Sequence, residues 1–179
     1  MIPIHNRLIL RPSDSAARGM IFIPDIYRDA ATSCLVIAAG EKVNPLIKPG
    51  DVVFCQVGLG SRNAGMFEGT RDFLCRDSDV YAVIRNRKIF PFGRKVLIRR
   101  DIADEYHGSI VVPANRRYQS LFGTVERLAI SREPFKTIGI RPGMKIRLTE
   151  WMEHFVEVEL EDGAFGLIVN EQDLLCEIN

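Results

Sequence analysis

The sequence predicts an all-β chain built as two tandem, small, irregular β-barrels. Three observations carry this. Apolar residues fall in short runs rich in Val, Ile and Phe, set between Pro-Gly and Asp-Gly turns. The only helical candidates are single turns around Asp77-Ser78-Asp79 and Glu171-Gln172-Asp173. Motifs of the first half return, in order, in the second.

Arg7-Leu8-Ile9-Leu10-Arg11 is the first strand, with Pro3 ahead of it. Ser13 to Arg18 is polar and small, and such a stretch buries too little apolar area to order itself. Inside this loop-like region stands Gly19-Met20-Ile21-Phe22-Ile23-Pro24, an isolated apolar run. Lys48-Pro49-Gly50 turns the chain into Val52-Val53-Phe54-Cys55. Gly58-Leu59-Gly60 looks like the start of a dinucleotide-binding turn. Asn63 stands where a third glycine is needed, and Gly65 and Gly69 deny the following helix. A strand-end turn accounts for these glycines. Phe73 to Ile84 closes the first half.

The second half repeats this plan. Lys95-Val96-Leu97-Ile98-Arg99 matches the first strand at an offset of 88, with Pro91 matching Pro3. Gly108-Ser109-Ile110-Val111-Val112-Pro113 repeats the pattern of Gly, one residue, three bulky apolar residues and Pro, with Pro113 lying 89 positions after Pro24. Val125 matches Val36 at 89, Arg141-Pro142-Gly143 matches Lys48-Pro49-Gly50 at 93, and Asp173-Leu174-Leu175 matches Asp79-Val80-Tyr81 at 94. Lys145 to Leu148 is the strand after the Pro-Gly turn. Phe155 to Leu160 alternates with period two, turns at Asp162-Gly163, and Phe165 to Val169 returns. The offset only grows, and within loop-like segments, as duplicated domains behave after insertions in the second copy. The sequence therefore reads as domains 1–86 and 87–179, with Arg85-Asn86-Arg87-Lys88 expected as a solvated linker.

Composition narrows the function classes. With 46% hydrophobic and 26% charged residues the chain is a globular one, and a net charge of +1 gives no field to draw nucleic acid or an anionic membrane. No apolar run approaches the ~20 residues that span a bilayer. Cys34, Cys55, Cys75 and Cys176 form no CxxC and have mostly apolar neighbours, so buried thiols in a reducing compartment are expected. His5, His107 and His154 have no ligand spacing, and no metal or other cofactor is expected. No Ser/His/Asp set, acid pair or phosphate loop marks an enzyme. Ile2-Pro3-Ile4 leads at once into a strand without a signal-peptide pattern, so the expected location is the cytoplasm. The alternative is an organelle stroma after loss of a transit peptide, or a host cytoplasm for a viral protein.

The first copy resembles the small co-chaperonins of the GroES type. Pro3 to Arg11 is similar to that family's opening strand, Gly19 to Pro24 stands where it carries a loop tripeptide, Ile47-Lys48-Pro49-Gly50-Asp51-Val52-Val53 resembles its Pro-Gly-Asp turn, and Phe73 to Ile84 its closing strand. The second copy diverges more: Met144 stands where Asp51 does, Glu126 and Arg127 replace Ile37 and Ala38, and Trp151-Met152-Glu153-His154 replaces a glycine-containing turn. The tandem arrangement is similar to the double-domain co-chaperonins of plastids and of some viruses.

The resemblance implies a GroES-like fold, a homo-oligomeric ring, and a GroEL-type chaperonin partner that supplies the ATP and encloses an unfolded client. Chaperonin-binding residues would be Ile21, Phe22 and Ile23, with Ile110, Val111 and Val112 in the second copy. Each such side chain gains ~1.5–3 kcal/mol on full burial. Ordering about a dozen loop residues costs a comparable sum at ~1–2 kcal/mol each. One loop should bind weakly and a ring of loops by avidity. Family members often insert a roof hairpin before the Pro-Gly turn. Only Glu41 to Leu46 occupies that stretch here, so a reduced roof is expected.

Two alternatives stand beside this. Both tripeptides could be core strands, for which β-branched Ile110-Val111-Val112 is well suited. The chain could instead be a tandem β-barrel that binds nucleic acid, tracking phosphates with Arg94-Lys95, Arg99-Arg100 and Arg116-Arg117, although few aromatics interleave with these.

Overall fold

The computed structural model describes residues 2–13, 31–56, 72–102, 106–107, 110–111, 120–129, 139–149 and 155–177. The chain divides into two units, Met1–Gly93 and Arg94–Asn179. Each is an irregular small β-barrel in which an antiparallel sheet encloses its own apolar core.

In the first unit the strands are β1 (Arg7–Pro12), β2 (Ala31–Ala39), β3 (Val52–Gln56), β4 (Phe73–Arg76), β5 (Val80–Arg85) and β6 (Lys88–Pro91), in the order β4-β1-β2-β3-β5-β6. Leu8, Leu10, Val36, Val53 and Val80 are essentially sealed from water at its centre. In the second unit β7 (Lys95–Arg100), β10 (Phe122–Leu128), β11 (Lys145–Leu148), β12 (Val156–Glu159), β13 (Phe165–Asn170) and β14 (Leu174–Glu177) run in the order β12-β13-β7-β10-β11-β14. Val96, Ile98, Val125, Leu148 and Leu167 form its centre. Among the described residues, β8 (Tyr106–His107) and β9 (Ile110–Val111) pair only with each other, through Tyr106↔Val111 and His107↔Ile110. The expected helical turns are single 3-10 turns at Asp77–Asp79 and Glu171–Asp173. In each, the backbone N–H before the turn is capped by its last aspartate, Arg76 by Asp79 at 3.1 Å and Asn170 by Asp173 at 3.2 Å.

The internal repeat holds at the level of single hydrogen bonds. β4-β1-β2-β3-β5 corresponds strand for strand to β13-β7-β10-β11-β14. A β-bulge leaves Ile37 unpaired opposite Ile9 and Leu10, and its counterpart Glu126 is bulged opposite Leu97 and Ile98. A second bulge falls at Tyr81 in β5 and at Leu175 in β14. Gly50 N–H donates to the Val36 carbonyl at 2.8 Å, and Gly143 N–H to the Val125 carbonyl at 2.8 Å. Both glycines sit at positive φ, 89° and 86°, a conformation that only glycine adopts freely, which is why each Pro-Gly turn keeps its glycine. A bulge inserts one residue and tilts the strand, so two bulges at matching places mean matching curvature as well as matching order.

One expectation needs correction. Arg85-Asn86-Arg87-Lys88 is a hairpin turn within the first unit and not a solvated linker. Arg85 pairs with Lys88, and Asn86 and Arg87 take φ of 51° and 63°, the two left-handed residues of a tight two-residue hairpin. The units accordingly divide at Gly93/Arg94, whereas the sequence placed the division at 86/87. The stretch before the Pro-Gly turn, where a reduced roof was expected, forms no strand, and it is a plug. Val43 and Ile47 enter the core, Leu46 packs on it, and the Asn44 N–H donates to Asp77 at 3.1 Å.

All four cysteines are thiols. Cys34, Cys55 and Cys75 are buried as expected, while Cys176 is exposed on β14. Burial lifts the Cys75 thiol well above its ordinary range. Cys55, whose Sγ lies 3.3 Å from Cys34 Sγ, is raised first by that contact and then by burial.

Candidate functional site

The two apolar tripeptides occupy the same connection in each copy: between β1 and β2 in the first, between β7 and β10 in the second. Adjacent antiparallel strands bring both ends of such a connection to one place. In the first unit Pro12 pairs with Cys34, and Ser13 closes the pairing by donating to the Ser33 carbonyl from its N–H at 2.9 Å and from its Oγ at 2.8 Å. In the second unit the Asp101 N–H donates to the Phe122 carbonyl at 3.0 Å, and Arg100 Nε to the Ser120 carbonyl at 2.8 Å. Each connection is therefore tied at its base, whatever lies between.

An arginine anchors each base. Arg11 grips Asp72 with a two-pronged contact, Nε to Oδ1 at 2.7 Å and Nη2 to Oδ2 at 3.0 Å. Its counterpart Arg99 holds Glu126 at 2.9 Å and Asp162 at 2.5 Å. The acids come from different strands and turns, but the placement of the cation is conserved between the copies. The hydrogen bonds from Arg11 hold the Asp72 carboxyl below its usual range against the opposing effect of burial. A depressed carboxylate contributes stability that is present above its unfolded pKa and lost as pH falls through its folded pKa. Asp72→Asn should therefore lower the unfolding midpoint of the first unit at pH 7. It should have progressively less effect as the pH is taken below about 4, the unfolded carboxyl value. Denaturant titrations of both proteins at pH 7, 4 and 2.5 check this. An unchanged difference across the series would remove the ion pair from the account.

Of the predicted binding residues, Ile21, Phe22, Ile23 and Val112 lie outside the described residues, as do Arg116 and Arg117. Ile110 and Val111 form β9, whose backbone pairs with β8 and with neither edge of the six-stranded sheet. Ile110 and Val111 are strand, in a two-stranded ribbon separate from the six-stranded sheet, whereas the alternative expectation was a core strand for the whole tripeptide. The basic residues Arg99 and Arg100 are engaged by acids within the unit, Arg100 with Glu157 at 3.5 Å. That leaves less positive charge facing outward than the sequence alone suggests.

Sequence reasoning missed the anchors of the loop bases. Ser13, Ser33 and Asp72 carry no motif, and only the register of β1 against β2 and β4 brings them together. The arginines did leave a signal, since Arg11 and Arg99 are equivalent positions of the repeat.

No curated protein matches the chain. The family comparison does find a match. Residues 1–84, which hold β1 to β4 and all but the last residue of β5, match Cpn10, the chaperonin 10 Kd subunit family, and over that span the chain is similar to a co-chaperonin.

Proposed function

We propose that the protein is a co-chaperonin: a non-enzymatic cap that docks on a GroEL-type chaperonin ring through Ile21, Phe22 and Ile23, and through Ile110, Val111 and Val112. The observation that carries this is the match of residues 1–84 to the chaperonin 10 Kd subunit. The second unit is a further domain of the same kind, supported by its matching strand order, bulges and Pro-Gly turn. The loops act together from a homo-oligomeric ring. Their apolar side chains bind weakly one by one and tightly as a set, so the cap can be released when the ATP-driven partner changes state. An unfolded client is enclosed beneath it.

The test is capture of the full chain by a purified chaperonin ring, with ATP, with ADP and without nucleotide. Retention with nucleotide and little or none without it supports the reading. Absence of retention in all three conditions overturns it.

A further inference from the structure

We propose that Cys34 and Cys55 are a reversible redox pair, and that a disulfide between them slides β2 against β3 and loosens the base of the β1–β2 connection. Their Sγ atoms lie 3.3 Å apart as thiols, both sealed from water. Cys34 stands on β2 opposite Val53, and Cys55 stands on β3 opposite Thr32. The two are therefore diagonal neighbours, two residues out of register, and not a directly opposed pair. They adjoin the loop base. Cys34 also pairs with Pro12 of β1, and the carbonyl of its chain neighbour Ser33 accepts both bonds from Ser13.

The repeat shows that the barrel does not need sulfur here. The counterparts of Cys34 and Cys55 in the second unit are Gly123 and Leu148. A Cβ on Gly123 would come to 2.5 Å from Ile98 Cγ2 and 2.7 Å from the Arg99 carbonyl oxygen, while Leu148 is fully buried in the second core. A glycine beside a leucine thus solves the packing that two thiols solve in the first unit. The third buried thiol, Cys75 opposite Leu8, has as its counterpart Val169 opposite Val96. Packing accepts residues without a thiol at all three positions, and two sulfurs at contact distance are particular to the first unit.

Geometry gives the switch its direction. Diagonal neighbours across an antiparallel pair have Cα atoms about 7–8 Å apart, whereas a disulfide usually needs less than about 7 Å. The sulfurs can touch as thiols but bond only when the strands slide. The sliding strand β2 carries Ser33, so the Ser13 bonds to its carbonyl are the ones disturbed. A strained disulfide is readily reduced, which makes this bridge labile and not structural. In the closed barrel the contact with Cys34, and then burial, disfavour the Cys55 thiolate. Exchange therefore proceeds through local opening. The oxidant is a low-molecular-weight disulfide. One cysteine thiolate attacks it and releases a first small thiol, and the other cysteine then displaces the second. Two protein thiols are oxidised as one small disulfide is reduced to two thiols.

The test uses the full chain carrying Cys176→Ser, which removes the exposed thiol, with oxidised glutathione as the probe and no chaperonin present. Incubation until the thiol count is constant should consume two of the remaining thiols. Peptide mapping without reductant should find Cys34 joined to Cys55 of the same chain, with Cys75 still a thiol. Hydrogen exchange at the Ser13 N–H should quicken at least tenfold and return to its starting rate on reduction. The Asp101 N–H makes the equivalent bond in the second unit, to the Phe122 carbonyl, and should not change. Cys34→Ala should abolish the bridge and the exchange response together, and Cys75→Ala should keep both. No bridge, a bridge that includes Cys75, or a bridge with Ser13 exchange unmoved would each overturn the proposal. Its consequence for docking, weaker capture of the oxidised chain, rests on the proposed function. The test itself does not, so its failure and that of the functional reading are told apart.

Discussion

Serine at all three of Ile21, Phe22 and Ile23 lowers the affinity of the protein for a chaperonin ring by about a thousandfold or more. The estimate starts from ~1.5–3 kcal/mol for each apolar side chain fully buried on a partner. Even with burial only partial, three side chains supply at least ~4 kcal/mol, and every 1.4 kcal/mol is a factor of ten. Replacing Ile110, Val111 and Val112 as well removes whatever the second copy adds. The comparison of the two triple replacements then ranks the loops. Equilibrium capture on immobilised chaperonin with nucleotide present is the measurement. Unfolding midpoints measured on the same variants separate lost docking from lost folding. If the sixfold replacement still docks with parental affinity, the tripeptides are not the docking element.

How much of this was legible in the sequence follows from what kind of signal each element leaves. β1, β3, β7 and β11 announce themselves because branched apolar runs follow turns. β12 and β13 do so because alternation with period two is intact on both sides of Asp162-Gly163. The repeat was readable for a physical reason. The matched Pro-Gly turns make the same backbone bonds in both units, as Gly50 to Val36 and Gly143 to Val125 do. β6 was missed because Lys88-Ile89-Phe90-Pro91 is short and follows three polar or charged residues, so charge outweighed a hairpin whose turn uses Asn and Arg in place of glycine. The core plug of Val43 and Ile47 was missed because isolated apolar residues between turns have no period to detect. The two apolar tripeptides proposed to dock stand out in the sequence through repetition and flanks. The arginine and serine anchors that tie each loop base were not, since strand register is a tertiary property that sequence pattern does not encode.

Arg85→Met destabilises the first unit by about 2–3 kcal/mol, and adding Asp51→Met recovers most of the loss. Arg85 reaches from the hairpin turn to the Pro-Gly-Asp turn, with Nε to Asp51 Oδ1 at 3.0 Å and Nη2 to Oδ2 at 2.6 Å, and it also donates to the Leu46 carbonyl. Burial alone would raise the Asp51 carboxyl, but the Arg85 hydrogen bonds, with those from Lys48, outweigh it and hold the group below its usual range. With the arginine gone, a carboxylate whose side chain is only 13% exposed keeps its desolvation cost and loses its partner. Breaking a buried pair from one side costs about 3–5 kcal/mol, less here because Arg85 is partly solvated, whereas replacing both members by apolar residues is often near neutral. The second unit already shows the apolar solution, since Met144 stands at the position of Asp51 and packs on the core. Two probes separate the units: the buried thiols of Cys34, Cys55 and Cys75 report the first, and hydrogen exchange at the backbone N–H groups of β7 and β13 the second. The single variant should expose the thiols at a denaturant concentration well below the parent's, with exchange in β7 and β13 unmoved, and the double variant should return close to the parent. Because the folded Asp51 titrates below its unfolded value, the pair's contribution is present above about pH 4 and is lost as pH falls through the folded pKa. The penalty of Arg85→Met should shrink over that range. A double variant as unstable as the single one would mean that the hairpin needs the ion pair itself and not merely relief from an unpaired charge.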